Sequence, residues 1–215
     1  MITSINKRSY PNTLIVVLDQ DKGKSEFEEK DDVTKVTDSK GKVIGFNFFN
    51  VDKIIDYDKL PNGPVKLSDD QLTALNKKLA DVGFNEKLSY GKPTLVYGYV
   101  KTCEKHPDSD HLHVTMVDVG NGEEHKIVCG ASNIAQGQKV VVALPGTLMP
   151  NGQEIWPGKL RGVDSYGMIC SARELGLKHA PQKRGIMVVP DSFKVGAAFE
   201  PTKCDELIAS GDITL

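Results

Sequence analysis

The chain has 215 residues, a formal net charge of −2, 39% hydrophobic residues and 26% charged residues. That composition is typical of a folded globular protein and excludes a disordered or fibrous one. Apolar runs of at most five residues exclude a membrane-spanning helix. Positive and negative charges are nearly balanced in residues 1–88 and again in residues 89–200. A surface that binds nucleic acid must therefore be a local basic patch, with an affinity that we expect to be modest and sensitive to salt.

The N-terminal sequence MITSINKRSYPN has neither the apolar core nor the small-residue cleavage site of a secretory signal, so we expect a cytoplasmic protein. The four cysteines include no CxxC pair, which argues against a zinc ribbon or a redox motif. They are Cys103, Cys129, Cys170 and Cys204. In a reducing cytoplasm we expect their thiols to be small buried hydrophobic groups.

The first part of the chain reads as a small sheet. Residues Thr13–Asp19 are rich in β-branched side chains and predict a buried strand. The charged segment Gln20–Asp32 predicts an exposed loop, with room for some strand. Residues Val33–Thr37 and Lys42–Phe49 then predict a hairpin around Gly41, and apolar residues on both faces of its second arm predict a central position in the sheet.

A helix is predicted next. Ser68 is placed as its N-cap, with Gln71 three residues on as the capping-box partner, and Gly83 is placed to end it. Its apolar residues recur at helical spacing: Leu72, Leu75, Leu79 and Val82. We therefore expect residues 1–88 to form a small α+β domain. It contains no catalytic constellation, which favours a structural role or binding of a protein partner.

From residue 89 to residue 200 the sequence changes to short alternating strands with tight turns. The predicted strands are Leu95–Glu104, Leu112–Val119, Glu124–Cys129, Lys139–Leu144 and Gln153–Arg161. Asn121-Gly122 is a strong hairpin turn, and Ala131–Ala135 has room for a helical turn at most. Five short strands with a helical element between the third and the fourth predict an all-β OB-fold barrel, a fold that binds single-stranded or folded RNA on an open face.

Three segments of this region resemble successive motifs of the tRNA-binding domain family. They are HPDSDHLHVTMVDVG, IVCGASNIAQGQKVVVALPG and KLRGVDSYGMICSARELGL, in that order. The resemblance covers roughly residues 90–199. That domain occurs in the phenylalanyl-tRNA synthetase beta chain, at the C-terminus of many methionyl-tRNA synthetases and in free-standing tRNA-binding proteins. The resemblance implies an OB-fold that binds tRNA by its overall shape, without chemistry of its own. Residues 1–88 resemble the N-terminal domain of a bacterial group of stand-alone tRNA-binding proteins.

The closing motif supplies candidate phosphate contacts. Lys159 and Arg161 flank Leu160 at the end of the fifth predicted strand, where both can face outward and Arg161 can hold a phosphate with its planar guanidinium. Ser171 is placed to cap a short helix over Ala172–Leu177. Its hydroxyl either contacts RNA at that helix N-terminus or closes a local capping box with Glu174.

Further candidates follow in a polar loop and among the aromatic residues. Lys178, Lys183 and Arg184 form a basic cluster that is either a phosphate-binding loop beside Arg161 or a solvated surface. The main candidates for base stacking are Tyr97, Tyr99, Trp156 and Tyr166, although Trp156 equally suits a lid on the barrel. Aromatic residues are too sparse for the ladder of a general single-strand binder, which favours recognition of a folded RNA backbone.

Metal and cofactor sites are not expected. The spacing of His106, His111 and His113 matches no zinc signature. Asp108 and Asp110 lie in a predicted turn, where their carboxylates can accept backbone N–H groups. No set of nucleophile, base and orienting group is recognisable, and no ATP-binding motif appears, so we do not expect an enzyme.

The leading hypothesis is thus a non-catalytic tRNA-binding protein that recognises folded tRNA mainly through its backbone and shape. The alternative is a protein-interaction module in which the barrel has weak or no RNA affinity. In the tail, residues 201–215, the Asp205–Ala209 segment has room for one helical turn, and the apolar pair Ile213 and Leu215 suits an extra strand on the first domain. The sequence leaves the oligomeric state open.

Overall fold

The computed structural model of the chain describes residues 1–213 and divides into two compact units after Lys92. The first unit is a six-stranded antiparallel sheet in the order β3-β4-β5-β2-β1-β6. Its strands are β1 Ile2–Asn6, β2 Tyr10–Val17, β3 Glu26–Lys30, β4 Val33–Thr37, β5 Val43–Phe48 and β6 Gly63–Pro64. The predicted hairpin is confirmed, with Gly41 at a φ of +79° in its turn. The predicted central position of β5 is confirmed as well.

Three strands of the first unit differ from the sequence-based expectation, and one of them, β6, has only two residues and is too short to be recognised from the sequence. The charged segment expected mainly as a loop contains β3, which pairs along its whole length with β4 and forms one edge of the sheet. Strand β1 was not predicted, because five residues at the chain terminus show too short an alternation to identify a strand. Its partner β2 holds it in the sheet, next to β6.

One helix covers the sheet of the first unit. Helix α1, Asp69–Asp81, begins at the predicted capping box: the Ser68 hydroxyl accepts the Gln71 N–H at 3.2 Å, and the Gln71 side chain accepts the Ser68 N–H at 2.9 Å. The predicted apolar face is confirmed, since Leu72, Leu75 and Leu79 are buried against Phe46 and other core residues of the sheet. A 3-10 turn, Val51–Lys53, follows β5.

The second unit is built on a sheet in the order β15-β10-β7-β8-β9, with β16 also paired to β10. Its main strands are β7 Leu95–Lys105, β8 His113–Asp118, β9 Glu124–Cys129 and β10 Lys139–Ala143. They match the first four predicted strands to within one or two residues, and the architecture is that of a barrel-like OB-fold. The sheet is not closed, because β9 and β15 are not paired as strands. The Tyr166 N–H donates to the Lys126 carbonyl at 2.8 Å and bridges this seam.

The prediction of one continuous fifth strand over Gln153–Arg161 is wrong. The chain instead forms two small hairpins, followed by short strands that pair with β10. These elements are β11 Thr147–Leu148, β12 Glu154–Ile155, β13 Gly158–Leu160, β14 Val163–Ser165, β15 Met168–Ile169 and β16 Val188–Val189. Pro157 lies between β12 and β13 and has no N–H to offer a ladder, which explains the break. Arg161 and Gly162, with φ values of 44° and 84°, form the turn between β13 and β14.

The two short helical elements predicted in this unit are turns. Residues 131–135 contain a turn closed by a 3.4 Å bond from the Ile134 N–H to the Ala131 carbonyl. In the predicted helix Ala172–Leu177, Gly176 takes a φ of +68°, which ends the winding after a single turn. So short a segment gains too few hydrogen bonds to repay the cost of starting a helix.

Helix α2, Pro201–Ser210, completes the second unit. Cys204 is fully buried in the same core as Tyr97, whose ring packs against Phe193 and Phe199. The tail therefore contains a helix longer than the single turn predicted. The expected extra strand on the first domain is wrong for Ile213, which is buried in the core of the second unit; Leu215 lies outside the described residues. Neither helix of residues 1–213 is long and apolar enough to cross a membrane.

Candidate nucleic-acid interface

The seam of the second unit opens into a cleft of about 410 Å³. The end of β9 and the turn after it, Val128–Ala131, form one side. The other side comes from β15 and the turn after it, and Arg173, Glu174 and Arg184 complete the lining. The two guanidinium groups outnumber the one carboxylate, so the lining has a net positive charge at neutral pH.

A second cleft, of about 250 Å³, continues the first one. The two share Val128 and Met168 in their linings, and the second cleft is bounded by Trp156 and Leu160. We call the two together the seam groove. Its one end is lined by the two arginines, and its other end by Trp156, Leu160 and the carboxylate of Glu154. A small adjoining cavity is lined by Arg173 and Lys183, which places this lysine next to the basic end.

The basic loop, residues 178–184, is fixed where it leaves the groove. The side chain of Asn133 donates to the Ile186 carbonyl and accepts the Ile186 N–H, both at 2.9 Å. Gly185, which lies between Arg184 and Ile186, has a φ of +143°, and a Cβ there would lie 3.0 Å from the Asn133 side-chain oxygen. Glycine therefore allows the close approach that holds Arg184 in the lining.

Ser171 forms the capping box that was one of its two predicted roles. Its hydroxyl donates to the Glu174 carboxylate at 2.7 Å and accepts the Glu174 N–H at 3.3 Å. The Ser171 N–H also donates to that carboxylate, at 2.7 Å. These bonds turn the chain sharply after β15 and direct Arg173 and Glu174 to the groove, although no helix follows.

Lys159 and Arg161 lie on the hairpin of β13 and β14, outside the residues that line the groove. Leu160, which is 42% exposed, lines the groove, and its strand neighbours alternate away from it. Lys159 is 3.5 Å from Asp164, and the Arg161 guanidinium donates to the Asp108 carbonyl at 3.1 Å. The sequence-based interpretation expected these two cations beside Arg184. The structure instead places them outside the groove that Arg184 lines.

His106 ties the loop after β7 to the same hairpin. Its Nδ1 accepts the Asp108 N–H at 3.1 Å, so its Nε2 carries the proton and donates to the Leu160 carbonyl, also at 3.1 Å. The buried imidazole thus has a structural role in joining two segments. Among residues 1–213 no group of three or more His, Cys, Asp or Glu side chains is arranged to hold a metal ion.

The aromatic candidates are separated. Tyr97 is buried in the core of the second unit, and Tyr166 is 42% exposed but does not line the groove. Trp156 lines the seam groove, and its indole N–H donates to the Glu154 carboxylate at 2.8 Å. Tyr99 lies in β7, opposite Lys139 of β10 and Asp118 of β8, and is 37% exposed, but it is not part of the groove lining. One aromatic ring in the groove does not make a stacking ladder.

The cysteine thiols are unsuited to nucleophilic chemistry. Burial raises the pKa of Cys103 and Cys129, and it raises the pKa of Cys170 to about 12. The pKa of Cys204 is also raised, again mainly by burial. Because the thiolate is the reactive form, these groups stay protonated and inert at neutral pH. Three of the four are fully buried, as predicted, and Cys103 is half-buried.

Arg173 is the groove residue that sequence reasoning missed. It follows Ser171 by two residues, in a segment expected to be helical, where its direction could not be predicted from spacing. The available signal was its place in the same motif as Ser171. The fold adds the information that the segment is a turn at the open seam.

Comparisons with known proteins agree with this architecture. Residues 95–198 match the family model described as "Putative tRNA binding domain", and residues 20–91 match a domain of unknown function. The "Putative tRNA-binding protein YtpR" of Bacillus subtilis is 43% identical over 198 residues, which are 91% of this chain and 97% of that protein.

Other relatives match a smaller part of the chain. The phenylalanine–tRNA ligase beta subunit of Nitratidesulfovibrio vulgaris is 56% identical over 103 residues, which are 48% of this chain and 13% of the subunit. The crystal structure of a MetRS-related protein from Pyrococcus horikoshii aligns with a TM-score of 0.37 and 26% identity, covering 49% of this chain and 88% of that one. The near full-length similarity to YtpR shows that this chain belongs to the YtpR family and carries its tRNA-binding domain.

Proposed function

We propose that the protein is a non-catalytic tRNA-binding protein of the cytoplasm and that its seam groove holds the RNA. One observation carries the proposal: Arg173 and Arg184 line a groove along the unclosed edge of an OB-fold. The family name of the matched domain and the name of the Bacillus relative point to the same ligand. Arginine suits the task because its planar guanidinium binds phosphate oxygens in pairs.

Recognition of the RNA backbone and shape fits the groove better than reading of bases. Specific reading of unpaired bases uses aromatic side chains on which the bases stack, and Trp156 is the aromatic side chain that the groove offers. Phosphate contacts instead need cations spaced along a surface. Arg173, Lys183 and Arg184 supply them at one end of the groove, and we assign Lys178 to the same basic surface.

The remaining candidates take outer positions in this proposal. Lys159 and Arg161 form a second contact to the backbone on the hairpin beside the groove, and Trp156 packs on a sugar or a base at the end of the groove. Tyr99 contacts RNA that extends past the groove. Ser171 acts mainly through its capping box, since its hydroxyl already donates to Glu174.

A protein partner for the first unit is a second proposal, favoured by its exposed aromatic residues. Phe27 is 67% exposed on the edge strand β3, and Tyr10 is 58% exposed at the start of β2. An edge strand with unpaired backbone groups and an exposed aromatic ring suits a partner that pairs with the strand and covers the ring. This role is compatible with RNA binding by the second unit.

A titration of two RNAs tests the main proposal. Folded tRNA and an unstructured RNA of equal length are each titrated with the full chain at about 50 mM and about 150 mM salt. We expect tighter binding of the folded tRNA at both salts, and weaker binding at the higher salt because the release of counterions then favours binding less. Absence of binding to either RNA at low salt would refute RNA binding. Equal affinity for both would refute shape recognition alone.

A further inference from the structure

Helix α2 lies beyond the residues matched by the tRNA-binding domain model, which end at residue 198. It is nevertheless part of the second unit's core. Leu207 and Ile208 pack on the same apolar cluster as Leu177 and Ala180, which lie at the start of the basic loop. The helix therefore supports the segment from which three cations of the proposed RNA site extend.

Asp205 connects this helix to the loop by two hydrogen bonds. Its carboxylate accepts the His179 N–H at 2.9 Å and the His179 imidazole Nδ1 at 3.0 Å. A carboxylate only accepts, so Nδ1 carries a proton. The His179 N–H, with further help from its imidazole, holds the pKa of Asp205 below its usual range, so the carboxylate is charged at neutral pH.

The basic loop is therefore held at both ends. His179 is fixed by Asp205 at its start, and Ile186 is fixed by Asn133 just after its end. The intervening residues include Pro181, which limits the backbone further. A loop that is already ordered loses less conformational entropy when it binds a ligand.

We propose that Asp205 is a positioning residue for RNA binding, because it holds the basic loop so that Lys183 and Arg184 stay at the groove. The inference rests on the proposed function. It assigns a role to a helix outside the matched domain and to an acidic residue near a phosphate-binding surface.

The direction in which tRNA affinity changes when the Asp205 carboxylate is removed distinguishes positioning from electrostatic repulsion. A carboxylate near bound RNA repels phosphates, so its removal alone would tighten binding slightly. Loss of positioning would weaken binding instead. Glu206 is the matched control, since it is an exposed acidic residue on the same helix and its removal changes the net charge equally.

The experiment compares Asp205→Ala and Glu206→Ala in the full chain, by the salt dependence of tRNA affinity. We expect Asp205→Ala to bind about fivefold more weakly, roughly the net contribution of one ordinary hydrogen bond. Its salt slope should also fall, by about one unit for each phosphate that the displaced loop no longer binds. Glu206→Ala should keep the slope and bind equally or slightly more tightly. The Tyr97 hydroxyl accepts the Glu200 N–H at 3.1 Å, and buried Cys204 anchors the helix further, so α2 should stay in place.

A second set of variants separates loop positioning from a general loss of stability. With Lys178, Lys183 and Arg184 all changed to Ala, a further Asp205→Ala substitution should no longer weaken tRNA binding, because the groups that it positions are gone. His179→Ala, which removes only one of the two bonds, should weaken binding less than Asp205→Ala does.

Three results would contradict the inference, and the first of them would contradict the proposed function as well. If the wild-type chain binds no tRNA at low salt, the proposed function fails, and the inference fails with it. If the wild type binds and the triple loop variant binds more weakly, but Asp205→Ala binds as well as Glu206→Ala, the inference alone is overturned. An equal loss of affinity from Asp205→Ala with and without the loop cations would also overturn it.

Discussion

The two units of this chain treat their charged and apolar groups differently. In the first unit a helix covers one face of the sheet, and several lysines pair with nearby carboxylates, as Lys42 does with Asp19 and Lys35 with Glu28. The second unit has such pairs as well, for example Lys101 with Glu124, but they lie outside the groove lining. In the second unit the sheet does not close, and Arg173 and Arg184 line the groove that the seam leaves.

The difference indicates where a polyanion would bind. A lysine that is already paired within its own unit has less to gain from a phosphate, because the existing partner must be given up. Arginines along a groove can hold phosphates without rearranging a sheet. Charge is nearly balanced along the sequence, but the fold places Arg173 and Arg184 together in one groove, which the sequence alone does not show.

Substitution of Phe46 by Ala should have the largest effect and should separate the two units. Phe46 is fully buried and packs on the rings of Phe48 and Phe84. We expect a loss of about 3–5 kcal/mol in the free energy of unfolding of the first unit. Hydrogen exchange measured by mass spectrometry should show it in peptides of residues 1–92, with tRNA affinity little changed. A parallel loss of tRNA affinity would contradict the assignment of binding to the second unit.

The reciprocal test is Gly120→Ala in the second unit. A Cβ at Gly120 would lie 2.5 Å from the Gly196 Cα, and the φ of +88° adds strain. We expect a destabilisation of about 2–4 kcal/mol from overpacking and strain together, with weaker tRNA binding. Gly122→Ala is the matched control, because its φ of +76° is similar and its Cβ meets nothing within 4 Å. Its cost should be about 1 kcal/mol from strain alone, and equal melting temperatures would refute the close contact.

Acid should affect the first unit before the second. Hydrogen bonds from Lys42 and Lys35 lower the pKa of Asp19 and of Glu28 from the ordinary values of 3.8 and 4.5, and the pKa values of Asp21 and Asp31 are lowered too. Among the described residues of the second unit, the carboxyl group with a lowered pKa is that of Asp205. A pKa that is lower in the folded state adds stability above the unfolded-state value, and this stability is lost as the pH falls through the folded-state value. Solvent screening keeps the effect small. Hydrogen exchange between about pH 5 and about pH 3 should show earlier loss of protection in residues 1–92. Earlier loss in the second unit would contradict this.

Local patterns predicted much of the fold. Apolar alternation identified β7 to β10, and one capping box identified the start of α1, because these features depend on residues near one another in sequence. The second capping box predicted a helix that is only a turn. Ser171 and Glu174 form the expected bonds, but Gly176 ends the winding.

The groove could not be predicted from the sequence in the same way. Which edge of a sheet stays open depends on pairings between distant segments, and Pro157 divided the segment expected to complete the barrel. Arg184 was a candidate and lines the groove, whereas Arg173 emerged only from the turn geometry. Arg161 was expected beside Arg184, but it lies on the hairpin of β13 and β14 and donates to the Asp108 carbonyl in the loop after β7.

The most direct test of the central claim is the salt slope of tRNA binding by the double variant Arg173→Ala and Arg184→Ala. Its control is Arg8→Ala with Lys77→Ala, two exposed cations of the first unit. Binding by the seam groove predicts that the groove variant loses about two units of slope and about tenfold or more in affinity near 0.1 M salt, while the control keeps both. An unchanged groove variant, or an equal loss in the control, would contradict binding at the seam.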